Sequence, residues 1–194
     1  MKNLMVRTHT FTMRTSRLVV MVLFAALLSA VPFRAAMAQS APDLGTAEDF
    51  AVLGGTAVTV TDSAVSGNVG VDLGGAFTNT NSTISGTVHV GDSVAQQAYD
   101  DFLAAYNDLA VEPCGTTLSG DLTGLSLTPG VYCVAAASTT TGGTLTLDGS
   151  STDTWIFKIG TGGTGALTGT NFTVVMSSGE TCNNNVFWWT AEAA

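Results

Sequence analysis

The chain has 194 residues, with 15 acidic and 6 basic side chains and a net charge of −9. Five of the six cations (Lys2, Arg7, Arg14, Arg17, Arg34) precede residue 39 and all fifteen acids follow it, which leaves Lys158 and a net charge of −14 on residues 39–194. One cation cannot neutralise a row of phosphates, which excludes nucleic acid as a partner and disfavours anionic lipid.

Residues 1–38 read as a secretory signal peptide. Lys2, Arg7, Arg14 and Arg17 form a basic n-region, and Leu18 to Val31 is an apolar stretch short of a comfortable membrane span. Ala36-Met37-Ala38 places small residues at the cleavage positions, so the cut is expected before Gln39. Arg14 and Arg17 are not adjacent, which argues against a twin-arginine signal. The expected localisation is secreted or extracellular, with the periplasm or cell surface also open, and no membrane contact after cleavage. Residues 39–194 amount to one domain.

Residues 44–91 read as short strands. Phe50-Ala51-Val52-Leu53 is an apolar run ended by Gly54-Gly55, and Val58 and Val60 alternate with Thr59 and Thr61. Val65, Val69 and Val71 follow, then Ile84, Val88 and Val90, with glycines marking the turns. Residues 92–111 carry a different period: Val94, Ala95, Ala98, Phe102, Ala105, Tyr106 and Leu109 recur at three- and four-residue steps. This is one amphipathic helix, with Ser93 and Gln96 as a capping box, Asp92 as N-terminal negative charge, and a stop before Pro113. Its twenty residues span about 30 Å, the height of about six strands stacked at roughly 4.8 Å. Its apolar stripe requires a docking surface.

Strand signals resume after Cys114. Leu118, Leu122, Leu125, Leu127 and Val131-Tyr132 surround a turn at Thr128-Pro129-Gly130. Thr141-Gly142-Gly143-Thr144 then returns as Thr161-Gly162-Gly163-Thr164, each block followed by apolar runs, and Val186-Phe187-Trp188 opens a last strand. A repeat of about twenty residues, rich in Thr and Gly, predicts coil stacked on coil, a β-solenoid with the helix along its side. Cys114 and Cys133 flank one expected coil at a spacing that suits a disulfide, which export permits. Cys182 is left over and reads as a buried or unpaired thiol.

Several stretches together resemble the microbial ice-binding proteins of the DUF3494 family. They are Leu44-Gly45-Thr46-Ala47-Glu48-Asp49-Phe50-Ala51-Val52-Leu53, Val65-Ser66-Gly67-Asn68-Val69-Gly70-Val71, Ala105-Tyr106-Asn107-Asp108-Leu109-Ala110, Gly120-Asp121-Leu122, Leu127-Thr128-Pro129-Gly130-Val131-Tyr132-Cys133, Leu145-Thr146-Leu147-Asp148-Gly149, Trp155-Ile156-Phe157-Lys158-Ile159-Gly160 and Asn185-Val186-Phe187-Trp188. The resemblance implies a mostly β fold: an irregular, right-handed solenoid of triangular section with one long helix packed alongside. It also implies a secreted, non-catalytic protein that binds ice through one flat face. The family pattern continues through several more coils where this chain reads Trp189-Thr190-Ala191-Glu192-Ala193-Ala194. A shortened chain lacking its last coils is therefore expected, with an open C-terminal edge prone to self-association.

Ice offers neither charge nor pocket, so its binder needs a stiff, flat, uncharged surface. Threonine meets that need, because it pairs a methyl with a hydroxyl on a β-branched side chain. The candidates are Thr59, Thr61, Thr78, Thr80, Thr140, Thr144, Thr161, Thr164, Thr168 and Thr170. Threonine is also a common strand residue without any such role. Other chemistry has little to work with. A lyase lacks cations. Asp100-Asp101, Asp148 and Asp153 read as solvated face or turns, and His89 reads as an outward strand residue. Gly162-Gly163-Thr164-Gly165 opens like a calcium repeat, but Ala166 stands where a liganding Asp belongs. No catalytic residue, metal or cofactor is therefore expected. The competing reading is a non-catalytic adhesin or structural solenoid module.

Overall fold

The structure, a computed structural model, describes residues 40–179 and 185–192. The expected signal peptide and Cys182 lie outside the described residues. What is described falls in one compact unit, Ala38–Ala194.

A 3₁₀ turn, Gly45–Asp49, leads into β1 (Phe50–Gly54), β2 (Ala57–Thr61), β3 (Ala64–Val65), β4 (Asn68–Val71), β5 (Ala76–Thr80), β6 (Thr83–Ile84) and β7 (Val88–Val90). The helix α1 (Ser93–Val111) follows. After it come β8 (Thr116–Thr117), β9 (Ser126–Leu127), β10 (Gly130–Val134), β11 (Ser138–Leu147), β12 (Trp155–Ile159), β13 (Leu167–Met176) and β14 (Val186–Thr190). The described residues are thus mostly β with a single α-helix.

The strand pairs are parallel, and none joins sequence neighbours. A tight hairpin cannot connect parallel strands. Each strand instead pairs with its counterpart one circuit later, which stacks coil on coil. The orders are β1-β4-β7 and β14-β12-β10-β8 on the helix side, and β2-β5, β13-β11-β9 and β3-β6 elsewhere.

Coil length is not uniform. Ala57 pairs with Ala76, nineteen residues on. Gly130 pairs with Trp155, twenty-five on, and Ser138 with Leu167, twenty-nine on. The twenty-residue spacing of the Thr-Gly-Gly-Thr blocks is therefore not the period of the coils that hold them. Residues 141–144 turn a corner inside β11, whereas residues 161–164 lie in the loop between β12 and β13.

Two cores follow from the inward residues. The early coils bury Val58, Val60, Val69 and Val71, with Val52, Val65, Phe77 and Ile84 around them. The later coils bury Leu122, Tyr132, Leu145, Leu147, Trp155, Phe157 and Met176. Tyr132, Phe157 and Trp188 occupy one column of three paired strands, with ring centroids 5.6 and 4.2 Å apart. All five residues of β12 are buried. Its inward side meets this core and its outward side meets the helix, which explains an apolar run without alternation.

Helix α1 is tied down along its length. Asp92, not Ser93, is the N-cap: its Oδ1 accepts from the Val94 and Ala95 N–H groups at 3.1 and 2.9 Å. An aspartate one residue earlier satisfies the same orphan donors and adds charge at the positive end of the dipole. Ala95, Ala98 and Ala105 are buried, their small side chains bringing the helix close to the sheet. Lys158, only 3 % exposed, donates from Nζ to the carbonyls of Ala110 (3.0 Å) and Glu112 (2.6 Å). It closes a C-terminus whose last turn has no cation of its own. Burial pushes the Lys158 pKa below its ordinary value, and Glu112 opposes that shift. A disulfide joins Cys114, just past the helix, to Cys133 in β10.

Candidate functional site

The outward sides of β2, β5, β11 and β13 carry one motif four times. It runs Thr59-Val60-Thr61-Asp62, Thr78-Asn79-Thr80-Asn81, Thr139-Thr140-Thr141-Gly142 and Thr168-Gly169-Thr170-Asn171. In each, two exposed threonines flank one residue turned the other way. Register then stacks them: Thr59 on Thr78, Thr61 on Thr80, Thr139 on Thr168, Thr141 on Thr170. Threonines therefore repeat at about 4.8 Å across coils and about 6.7 Å along a strand.

The fourth residue of each motif holds a left-handed backbone, with φ of 47° at Asp62, 54° at Asn81, 66° at Gly142 and 51° at Asn171. Asp, Asn and Gly are the residues that tolerate this conformation. It turns the chain through a corner, and the next outward position falls three residues after the second threonine rather than two. Those positions are Ala64, Thr83, Thr144 and Thr173, paired as Ala64 with Thr83 and Thr144 with Thr173.

This corner corrects one candidate. Counting back by twos from Thr144 places Thr140 outward, but the odd step at Gly142 reverses the phase. Thr140 is 1 % exposed, and its hydroxyl donates to the Thr168 carbonyl at 3.3 Å. The outward residues are Thr139 and Thr141, which alternation alone misses. The recurring Thr-x-Thr followed by Asp, Asn or Gly was the signal that could have found them. Thr161 and Thr164 are exposed, but they sit in the loop before β13 and off the ladder. The Thr161 hydroxyl donates to the Val134 carbonyl at 3.3 Å. Thr144 is half-buried, beyond the corner from Thr141. Thr59, Thr61, Thr78, Thr80, Thr168 and Thr170 lie on the ladders.

The ladders are uncharged between their ends. Asp62 stands at one corner, where it accepts from Asn81 Nδ2 at 2.7 Å. Asp101, Asp148 and Asp153 serve the frame. Asp101 accepts from the Thr46 hydroxyl and N–H, which hold its pKa below the ordinary carboxylate value. Asp153 closes a turn with Ser150, with the same effect. Ser177 donates to Asp148. His89 lies 2.8 Å from the Asp92 carboxylate and edge-on to the Phe50 ring. Among the described residues, no three His, Cys, Asp or Glu converge to hold a metal. A cavity of about 470 Å³ lies where Asp43, Glu48 and Phe50 approach Val186 and Phe187.

The Ice-binding-like family model matches residues 52–194. An ice-binding protein of Nostoc sp. (strain HG1) is 39% identical over 169 residues, covering 82% of this chain and 61% of its own length. One of Flavobacterium frigoris (strain PS1) is 32% identical over 169 residues, covering 78% and 59%. The chain thus spans about three fifths of the length of these relatives. The crystal structure of an ice binding protein from an Antarctic biological consortium superposes with a TM-score of 0.69 at 29% identity, covering 79% of this chain and 70% of that one. Stacked parallel coils, a flanking helix and agreement over most of the chain converge on one assignment: the chain belongs to the ice-binding-like family.

Proposed function

We propose that this is a secreted ice-binding protein that adsorbs to ice through its threonine ladders. Thr59, Thr61, Thr78 and Thr80 form one half of the contact surface, and Thr139, Thr141, Thr168 and Thr170 the other. The coils wind as a right-handed solenoid of triangular section, and residues 1–38 direct export. The protein binds and does not catalyse.

One observation carries the reading: eight outward threonines held in register by parallel pairing, with no charge among them. Each contributes a methyl that excludes water and a hydroxyl that can join an ordered water layer. The β-branched side chain holds few rotamers, so little entropy is lost on contact. Backbone ladders fix the spacing before ice is met, and a rigid crystal rewards such preorganisation. The relatives' description as ice-binding proteins supports the same reading.

Partitioning into a growing ice hemisphere, with recrystallisation read on the same samples, tests it. The parent chain enriches in ice. Thr78→Lys and Thr170→Lys each reduce enrichment about tenfold or more, while stability stays within about 0.5 kcal/mol, as surface substitutions do. A folded parent left in the liquid sinks the proposal and favours the adhesin or spacer reading.

A further inference from the structure

The early and later ladders turn the same corner by different means. In the later coils β11 and β13 run through it as single strands. Their register breaks only at Gly142 and Asn171 and resumes at Gly143 and Phe172. In the early coils the strands stop at the corner. β2 and β5 pair as far as Thr61 and Thr80, and β3 and β6 begin at Ala64 and Thr83. Residues 62–63 and 81–82 belong to no strand.

Side chains carry the connection across that interruption. The Ser63 N–H donates to Ser82 Oγ at 3.0 Å, and Asn81 Nδ2 donates to Asp62 Oδ1 at 2.7 Å. Both bonds join consecutive coils. The same serines also fold back along their own coils. Ser63 Oγ donates to the Thr61 carbonyl at 2.7 Å, and Ser82 Oγ to the Thr80 carbonyl at 3.2 Å. Asn79 closes the second turn: its Oδ1 accepts from the Ser82 N–H at 3.1 Å, and its Nδ2 donates to the Ser82 carbonyl at 3.2 Å. The network therefore holds the backbone of two ladder threonines, Thr61 and Thr80.

A carboxylate at the rim of this face needs a reason, because an ion keeps its own hydration shell. Turn geometry does not supply one. Asn81, Gly142 and Asn171 hold the same left-handed backbone without a charge. What Asp62 adds is an acceptor for the Asn81 amide, and a hydrogen bond with one ionised partner is stronger than a neutral one.

We infer that Asp62 is a positioning residue for ice adsorption: by holding Asn81 it locks two consecutive corners together and fixes Thr61 and Thr80 as one surface. It acts through the threonines. The later corner has backbone pairing on both sides of a single unpaired residue and does without such a lock. The inference rests on the ladder reading of ice binding and names the contact that preorganises its early half.

Ice enrichment of variants that keep the left-handed turn tests it. Asp62→Gly and Asn81→Gly each remove the bond and leave a residue suited to the turn, as Gly142 is. Each is expected to lower enrichment about fivefold, while the melting temperature shifts by no more than about 4 °C. The double glycine variant should lose no more than either single one, since both break the same bond. Asp62→Asn keeps an acceptor oxygen and should stay within about twofold of the parent. Asp62→Asn combined with Asn81→Asp exchanges donor and acceptor at unchanged charge and should do the same. That exchange keeps the test decisive should the glycine variants fold poorly, because a folded exchange variant left in the liquid overturns the inference. Higher enrichment of Asp62→Gly also overturns it, since the carboxylate is then only a charge that ice rejects. An enriched parent with unaffected glycine variants overturns this inference alone. A folded parent left in the liquid overturns the ladder reading and this inference with it.

Discussion

The early and later coils present the same outward motif over unlike interiors. β2 and β5 sit on four buried valines. β11 and β13 sit on a core that includes Tyr132, Trp155 and Phe157. The early circuit takes nineteen residues and the later one twenty-nine, yet both carry Thr-x-Thr and turn at a left-handed residue. The extra residues of the longer circuit lie in the loops between strands, since Leu127 and Leu147 of the same aromatic core pair only twenty residues apart. Backbone pairing sets the spacing of the outward threonines, and that spacing is the same in both regions. The surface is thus decoupled from the core that supports it.

The sharpest way to break this comparison is to open the aromatic column. Phe157→Ala removes the middle ring between Tyr132 and Trp188 and is expected to cost about 3–5 kcal/mol, while Val69→Ala in the early core costs about 2 kcal/mol. Denaturant unfolding of both variants measures the difference, and equal losses would show that the two interiors carry similar weight. Removing the Cys114–Cys133 link as a double alanine variant is expected to cost about 3 kcal/mol, given the nineteen-residue separation. A loss confined to the helix signal in circular dichroism would place its effect on the tether. Lys158→Met keeps the length of the side chain but leaves the Ala110 and Glu112 carbonyls without their donor. The expected cost is about 1–3 kcal/mol, read from the melting temperature.

Acid gives the smallest effect. The carboxyls of Asp92, Asp101, Asp121 and Asp153 are held below their ordinary value of 3.8, chiefly by N–H and hydroxyl donors. A depressed folded pKa contributes stability that is present above 3.8 and lost as pH falls through the folded value. Melting temperature should hold from neutrality to about pH 4 and fall below it. Asp101→Asn should flatten that fall, and an unchanged slope would remove Asp101 from the account.

Much of this was legible in the chain. The helix announced itself by period and by Pro113, and its bounds moved by no more than a residue. Alternation at Val58 and Val60 gave the phase of β2 correctly, because no corner intervenes. It failed at Thr140 because one left-handed residue adds an odd step that composition does not reveal. The role of Lys158 was hidden for a different reason. Its partners lie 46 and 48 residues away, on a helix whose docking only the tertiary structure supplies.

Asp92, Tyr99 and Tyr106 recur at intervals of seven, and seven residues return an α-helix to within about 20° of the same face. Adding three residues instead would swing the apolar stripe by about 60°, and adding four by about 40°. Seven residues rise about 10.5 Å, close to two strand spacings, and the four from Tyr106 to Ala110 cover the single step from β14 to β12. The helix therefore follows the stack in steps of three or four residues per coil, and its contacts wind slightly across the apolar stripe as it does so.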